Sequence, residues 1–459
     1  MHNKKISTLE ASLLLIGMLV ILALGIIHLQ LMPQVPVLLI IALFTLWATI
    51  RKIPLNTVTD SMASGIQKGI IPLLIFILVG ALIGVWLQAG IIQSLMVFGF
   101  SIVSVQWFLP TVFLVTAIVG TAIGSAFTVI STLGLVFIGI GTALGLNPAM
   151  VAGAIISGAI FGDKTSPLSD STNLAAAISG GELFAHIKNL SWSTIPAFFV
   201  SLIIYTIIGH TQSHVSLHSV ATLIHVLEAH ASVSAWAILP IGLLLIGAWL
   251  KIPAIPTLLL NISVTAIMIL FQGHVGLKTI ANVIETGFIS NTGNHQVDAL
   301  LTRGGITSML GTVGLIILTL SLGGILLNLG IIETVMVPIT KRLKSNGTLV
   351  LGTILTGISM NLLVGEQYLS VILPGNAFKE EFDKRGLAPV ALGRVLEDGG
   401  TVINYLIPWG VAGAFAATTL GVPVLTFLPF VFFSWLSPIF SLFSGFTGIG
   451  LKKIDTVNN

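Results

Sequence analysis

The stretch Ser157–Ala177, SGAIFGDKTSPLSDSTNLAAA, decides how the rest of the chain is read. It sets Asp163, Lys164 and Asp170, with a run of hydroxyl and amide side chains, between two apolar segments. Pro167 gives up its N–H and blocks helical continuation, so nearby carbonyls lose their intrahelical partners. Gly158 and Gly162 permit a turn, and Ser171 or Thr172 can cap a fresh start after Asp170. An apolar run over 148–161 that is half a span long, a polar break, and a resumption at 172–179 together mark a discontinuous membrane helix.

Charge at that depth is costly. An ionisable side chain at the bilayer centre costs about 3 kcal/mol or more, so such groups face a cavity and mark an ion or proton path. The depth itself follows from composition. Of 459 residues, 55% are hydrophobic and 8% charged, and mean hydropathy is +1.06, far from the quarter-charged norm of soluble domains. The expected fold is an all-α polytopic membrane protein, since the apolar runs are continuous rather than alternating as in a barrel. No cysteine is present, which excludes disulfides and thiolate metal sites. A net charge of +3 gives no sign of a nucleic-acid partner. The motifs GxxxxGK[ST], HExxH and GxSxG are missing, so an ATP-driven pump or membrane hydrolase has no support and no enzyme is expected.

Outward from the opening stretch, 1–60 reads as a helical hairpin (11–29 and 35–50), its first helix retained rather than cleaved as a signal. Residues 61–209 form a first repeat with spans at 70–88 and 191–209, a short piece at 91–99, and an apolar run at 107–145 broken near Gly124 and Ser125. Residues 182–190 look amphipathic and interfacial. A histidine-rich connector covers 210–233, connecting helices 234–300, a second repeat 301–445, and a tail 446–459. Lys4, Lys5, Arg51, Lys52 and Lys68 fall on one side, which puts both termini in the cytoplasm by the positive-inside rule. His210, His214 and His218 are spaced for one helix face, suited to Zn²⁺ or to pH sensing, although a solvated loop explains them as simply.

The repeat is visible without gaps. LLIFILVGALIGVWLQAGIIQSLM (73–96) aligns on VGLIILTLSLGGILLNLGIIETVM (313–336), and IGSAFTVISTLG (123–134) on VGEQYLSVILPG (364–375). GDKTSPLS (162–169) can be set against EDGGTVIN (397–404), which makes Asp398 the counterpart of Asp163. The connector SIVSVQW (101–107) is uncharged while its mate KRLKSNG (341–347) carries three cations, so equivalent loops lie on opposite sides and the repeats are inverted. Arg303, on the outer side, runs against that reading, partly offset by Asp298.

A hard cation such as Na⁺ needs oxygen ligands, and unwound backbone beside carboxylates supplies them. The candidates are Asp163, Thr165, Ser166, Ser169, Asp170, Thr172 and Asn173 from the first repeat, with Asp163 and Asp170 as the charged ligands, and Glu366 and Asp398 from the second. A buried carboxylate such as Glu366 can trade a proton for a cation, because desolvation favours its neutral form and a cation its charged form. The competing readings are structural: an Asp163–Lys164 ion pair, Asp170 as a helix cap, Lys164 snorkelling to the interface, and Arg394 paired with Asp398. Lys164, Asn361, Arg394, Asn404 and Tyr405 could instead balance charge or hold an anionic substrate.

At SGAIFGDKTSPLSDSTNLAAA, and again at LEDGGTVINYLIPWG, the chain resembles the NhaC family of bacterial Na⁺/H⁺ antiporters, over nearly its whole length. The resemblance implies an inverted-repeat secondary transporter that exchanges Na⁺ for H⁺ across the bacterial cytoplasmic membrane. It places Asp163, Ser166, Ser169, Asp170, Thr172 and Asn173 on the matching motif. It implies no cofactor beyond the transported Na⁺ and H⁺, and the lipid bilayer as surroundings; a homodimer stays open. Some members of the family resemble Na⁺-coupled exchangers of small organic acids, of malate/lactate type, or of amino acids, so an organic anion remains an alternative cargo.

Overall fold

A computed structural model describes residues 6–102, 105–211, 225–229, 234–250, 252–272, 275–340 and 343–454. Within them the chain is helical, and the only strand-like pairings are two isolated bridges, Phe288–Arg303 and Leu387–Lys453. Among the described residues eight helices are long and apolar enough to cross a membrane, or up to ten if two bent pairs count as spans. The helical elements, short ones included, are in order α1 (Thr8–His28), α2 (Gln34–Ile50), α3 (Leu55–Gln67), α4 (Ile70–Gln88), α5 (Ile91–Ile102), α6 (Val105–Ile123), α7 (Ala126–Ala143), α8 (Pro148–Thr165), α9 (Asp170–Ser179) and α10 (Leu183–Thr211). There follow α11 (Ile238–Trp249), α12 (Ala254–Phe271), α13 (Leu277–Thr286), α14 (His295–Leu301), α15 (Ile306–Asn328), α16 (Ile331–Thr340), α17 (Asn346–Val364), α18 (Gln367–Lys384), α19 (Pro389–Leu406), α20 (Val411–Leu420), α21 (Val424–Phe430) and α22 (Phe432–Thr447).

Large apolar side chains cover the outside. Leu13, Ile16 and Val20 on α1, Leu39, Leu43 and Leu46 on α2, and Phe199, Ile203 and Ile207 on α10 are all exposed. In water such a surface would aggregate; against lipid tails it is the low-energy face. The polar residues turn inward instead, among them Lys164, Arg394, Glu397 and Asp398, all fully buried.

Helix boundaries reveal the duplication more sharply than residue identity does. α6, α7, α8 and α9 correspond in length and order to α17, α18, α19 and α20, each pair offset by 389 − 148 = 241 residues. The left-handed glycines obey the same offset, Gly124 with Gly365 and Gly180 with Gly421. Each break contains four residues, with Pro167 in one and Pro408 in the other. This register corrects the sequence alignment: 162–169 matches INYLIPWG (403–410), so the counterpart of Asp163 is Asn404, and Asp398 stands opposite Ser157. The acidic pair at 397–398 suggested the wrong frame, whereas the prolines mark the true one.

The two broken helices run antiparallel. Lys164 meets Asp398, Ser179 lies against Gly393, and Gly181 touches Val390, so one chain advances as the other recedes. Contacts are also reciprocal: Ile178 packs on Gly375 of α18, and Leu420 on Gly134 of α7. Equivalent helices pointing in opposite directions through a membrane make the repeats inverted, in agreement with the charges of the loops.

Small residues allow the tight packing that puts the break in place. A methyl on Gly158 would lie 2.4 Å from the Phe113 carbonyl oxygen, and one on Gly162 would lie 2.5 Å from Gly120 Cα. The GAIFG stretch of α8 therefore lets its backbone lie directly on α6, the small-xxx-small device by which membrane helices associate.

Two expectations change. α8 is a full helix through Thr165 rather than a half-span ending at 161, because Asp163 and Lys164 are accommodated inside the protein and need not stop the helix. Residues 183–190 are not a separate piece but the first turns of the 29-residue α10, with His186, Asn189 and Leu190 buried on one face and Phe184 and Lys188 exposed on the other.

Candidate cation site at the crossing of two broken helices

The C-terminus of α8 leaves carbonyls without helical partners, and the break supplies donors for some of them. Thr172 Oγ1 donates to the carbonyls of Lys164 and Asp163 at 3.2 and 3.4 Å, and Asn173 Nδ2 donates to those of Ser169 and Pro167 at 2.7 and 3.0 Å. Ser169 caps α9 through its hydroxyl, which accepts from the Thr172 N–H and lies 3.0 Å from Ser171 Oγ. Ser166 Oγ accepts from the Leu168 N–H at 3.2 Å. Thr165 Oγ1 donates to the Phe161 carbonyl at 2.8 Å and lies 3.0 Å from Thr121 Oγ1. The break is thus held by its own hydroxyls, and Asn173 Oδ1 remains an available oxygen.

Asp163 is half-buried at this break, with the Ser169 side chain within hydrogen-bond reach and Asp170 close enough to act on it electrostatically. Asp170 is exposed. From the second repeat, Tyr368 stands in the field of Asp163, Asp170 and Glu366, and Tyr405 in that of Asp163. Glu366 is 5% exposed, caps α18 by accepting from the Leu369 N–H at 2.9 Å, and occupies the counterpart position of Ser125, which caps α7. It is therefore a helix-end residue, but one enclosed by protein. Asp163, Ser169, Asp170, Glu366, Tyr368 and Tyr405 form one neighbourhood.

Lys164 is engaged elsewhere. Its ammonium donates to Asp398 Oδ1 at 2.5 Å, Ser437 Oγ at 2.9 Å and Ser193 Oγ at 3.3 Å, and lies 5.9 Å from the Phe433 ring centroid. Ser437 Oγ also donates to Asp398 Oδ1 at 2.6 Å. Both ion-pair partners are fully buried, so Lys164 does not snorkel and does not pair with Asp163. This pair ties α8 of one repeat to α19 of the other. Glu397 lies beside it with neither carboxylate oxygen hydrogen-bonded, and His186 lies buried with both ring nitrogens unpartnered.

Arg394 does not reach Asp398. Its guanidinium donates to the Gly450 carbonyl at 2.9 Å and to Ser444 Oγ at 2.7 Å, which locks the end of α22. Asn404 Nδ2 donates to Asn361 Oδ1 at 2.6 Å, and Asn361 Nδ2 donates to the Gly400 carbonyl at 2.7 Å. The register makes this informative: where the second repeat fills its crossing with Asn361 and Asn404, the first has Gly120 and Asp163. With no side chain at Gly120, the Asp163 carboxylate has no equivalent of the Asn361–Asn404 hydrogen bond.

Sequence reasoning missed Ser193, Ser437 and His186. The serines carried a signal, since each lies within three residues of a proline inside an apolar helix, Pro196 or Pro438. His210 lies outside any such cluster, with Nδ1 2.8 Å from the Thr206 carbonyl and its ring against Trp107; His214, His218 and His230 are outside the described residues. Among the described residues no three His, Asp or Glu side chains come together as a metal set. A cation at Asp163 would draw the rest of its shell from hydroxyl, amide and carbonyl oxygens, which suits Na⁺.

Two inverted helical repeats whose broken helices cross at a charged interior define a secondary transporter of the membrane. The chain belongs to the Na⁺/H⁺ antiporter family, whose model matches residues 4–172 and 158–449. It is 38% identical over 458 residues to the Na⁺/H⁺ antiporter NhaC of Alkalihalophilus pseudofirmus, covering 99% of each chain. It is 36% identical over 447 residues to the Na⁺/H⁺ antiporter NhaC of Bacillus subtilis, covering 97% of this chain and 99% of that one. The malate-2H⁺/Na⁺-lactate antiporter of Bacillus subtilis is 32% identical over 406 residues, 87% of this chain and 86% of that one.

Proposed function

We propose that this protein exchanges Na⁺ for H⁺ across a bacterial cytoplasmic membrane, with Asp163 as the group that holds either ion. The observation that carries the reading is electrostatic. Asp163 sits at the crossing of the broken helices, and among the described residues it has no cationic partner, because Lys164 is locked to Asp398. A half-buried carboxylate without a counter-ion is stabilised either by a proton or by a cation, so the two compete for one place. Ser169, Asp170, Thr172, Asn173 and Glu366 complete the oxygen environment, and Tyr368 and Tyr405 close its other side. Full-length similarity to proteins named as Na⁺/H⁺ antiporters supports the same reading.

Both termini lie in the cytoplasm by the distribution of Lys and Arg, and exchange proceeds by alternating exposure of the crossing. Purified protein in liposomes tests this. An imposed Na⁺ gradient should move protons, read by an internal pH dye, with no organic solute present; no pH change between pH 6 and 9 would overturn it.

A further inference from the structure

A second built feature lies at the far end of α20. Its first N–H bonds to the Gly365 carbonyl beside Glu366, and its ten residues carry the chain about 15 Å away. There the end of α20, the start of α15 and the bridged segment Phe288–Arg303 line an open cavity of about 390 Å³, a size that admits a small organic molecule.

Arg303 lines this cavity. One of its N–H groups, on Nη1, donates to the Leu420 carbonyl at 3.4 Å and caps α20. The guanidinium has no other hydrogen bond and no ion pair among the described residues, so the Nε–Nη2 edge is available. Asp298, the carboxylate expected to balance it, is spent on its own loop, where it accepts from Ser290 Oγ, the Thr292 N–H and Thr292 Oγ1 at 2.7, 2.7 and 2.8 Å. Thr419, also on the cavity wall, is 2% exposed and its hydroxyl has no partner. The hydroxyls of Thr286, Thr302, Ser308 and Thr418 already have partners, so Arg303 and Thr419 are the two polar side chains left to recognise a ligand. Ile83, Leu135 and Met309 supply an apolar wall.

A free guanidinium edge is the shape that a carboxylate matches with two parallel hydrogen bonds. The unpaired Thr419 hydroxyl adds a third donor, and the apolar wall takes a short carbon skeleton. We propose that this cavity binds a small organic carboxylate, held by the free edge of Arg303 and the hydroxyl of Thr419. A bare chloride would waste the apolar wall, and phosphate needs more donors than the two side chains offer. The proposal stands apart from the cation reading and does not depend on it.

The test is thermal unfolding of the full-length protein in detergent, titrated with potassium butyrate at constant ionic strength. The unfolding temperature should rise and saturate with butyrate and should not respond to potassium chloride or phosphate. Arg303→Lys keeps the charge and loses the fork, so apparent affinity should fall about tenfold. Thr419→Val keeps the volume and removes an unpaired buried hydroxyl, so the protein folds and affinity falls about two- to tenfold. No response to butyrate, an equal response to chloride or phosphate, or wild-type affinity in Thr419→Val would overturn the proposal.

Discussion

At Asp163 the useful fact is what the side chain lacks. Its neighbour in sequence, Lys164, faces the opposite way into the protein, where its ammonium joins the repeats, while among the described residues the Asp163 carboxylate has no cationic partner. Asp163→Asn should therefore abolish Na⁺-driven proton movement in liposomes and leave the unfolding temperature within a few degrees of wild type. Exchange at the wild-type rate would remove Asp163 from the mechanism. Lys164 should behave in the reverse sense. Removing one member of a fully buried ion pair strands the other charge and costs about 3–5 kcal/mol. Lys164→Met or Asp398→Asn alone should thus unfold at markedly lower temperature, while Lys164→Met combined with Asp398→Leu should recover much of the loss. A double variant less stable than either single one would contradict the pairing. Asp163 was legible in the sequence because a charge in an apolar run is conspicuous. The direction of Lys164 was not, since a side chain's partner 234 residues away leaves no local trace.

Among the elements, breaks were easier to read than registers. Pro167 and Gly124 announce their own positions through backbone chemistry, and the structure interrupts its helices next to both. The pairing of the breaks was misread by six residues (404 − 398), because the acidic pair Glu397–Asp398 looked more like GDK than INY did. The segment 183–190 is likewise continuous with the span that follows it rather than a piece of its own. The segment from Phe288 to Arg303 makes a prediction of its own. Asp298 is held below the usual carboxylate range, first by the Thr292 N–H and then by the Ser290 hydroxyl. A group whose folded value is depressed adds stability above its unfolded value, near 4, and loses it as pH falls through the folded one. Amide protection over 290–298, taken relative to the intrinsic exchange rate at each pH, should accordingly stay constant from pH 8 to 5 and fall only in acid below about 4. A loss of protection already at pH 6 would assign it to some other group.

For the molecule as a whole, the buried Lys164–Asp398 pair and the close contacts at Gly181–Val390 join the two broken helices into a single body. If they move, they move together. The sequence has no cysteine, so a pair introduced at Gly181 and Val390 reports on that question alone. Joining them with a short bis-methanethiosulfonate should leave Na⁺/H⁺ exchange running; arrest that thiol reduction reverses would mean that the helices slide past each other in each cycle. The membrane class and the duplication were plain from hydropathy and from the match of 73–96 with 313–336. The antiparallel contact could only come from the folded chain, because it joins residues whose separation in sequence exceeds 200.

The constant spacing of 241 residues has a meaning of its own. From the start of α6 to the glycine after α9, neither half has gained or lost a residue relative to the other, although Asp163 corresponds to Asn404, Lys164 to Tyr405 and Gly120 to Asn361. Substitution was accepted at the heart of the crossing, and changes of length were not. One inserted residue would turn everything downstream by about 100° and slide it 1.5 Å, carrying the proline out of its break and the glycine out of its turn. In this protein, segment length is held more strictly than side-chain chemistry.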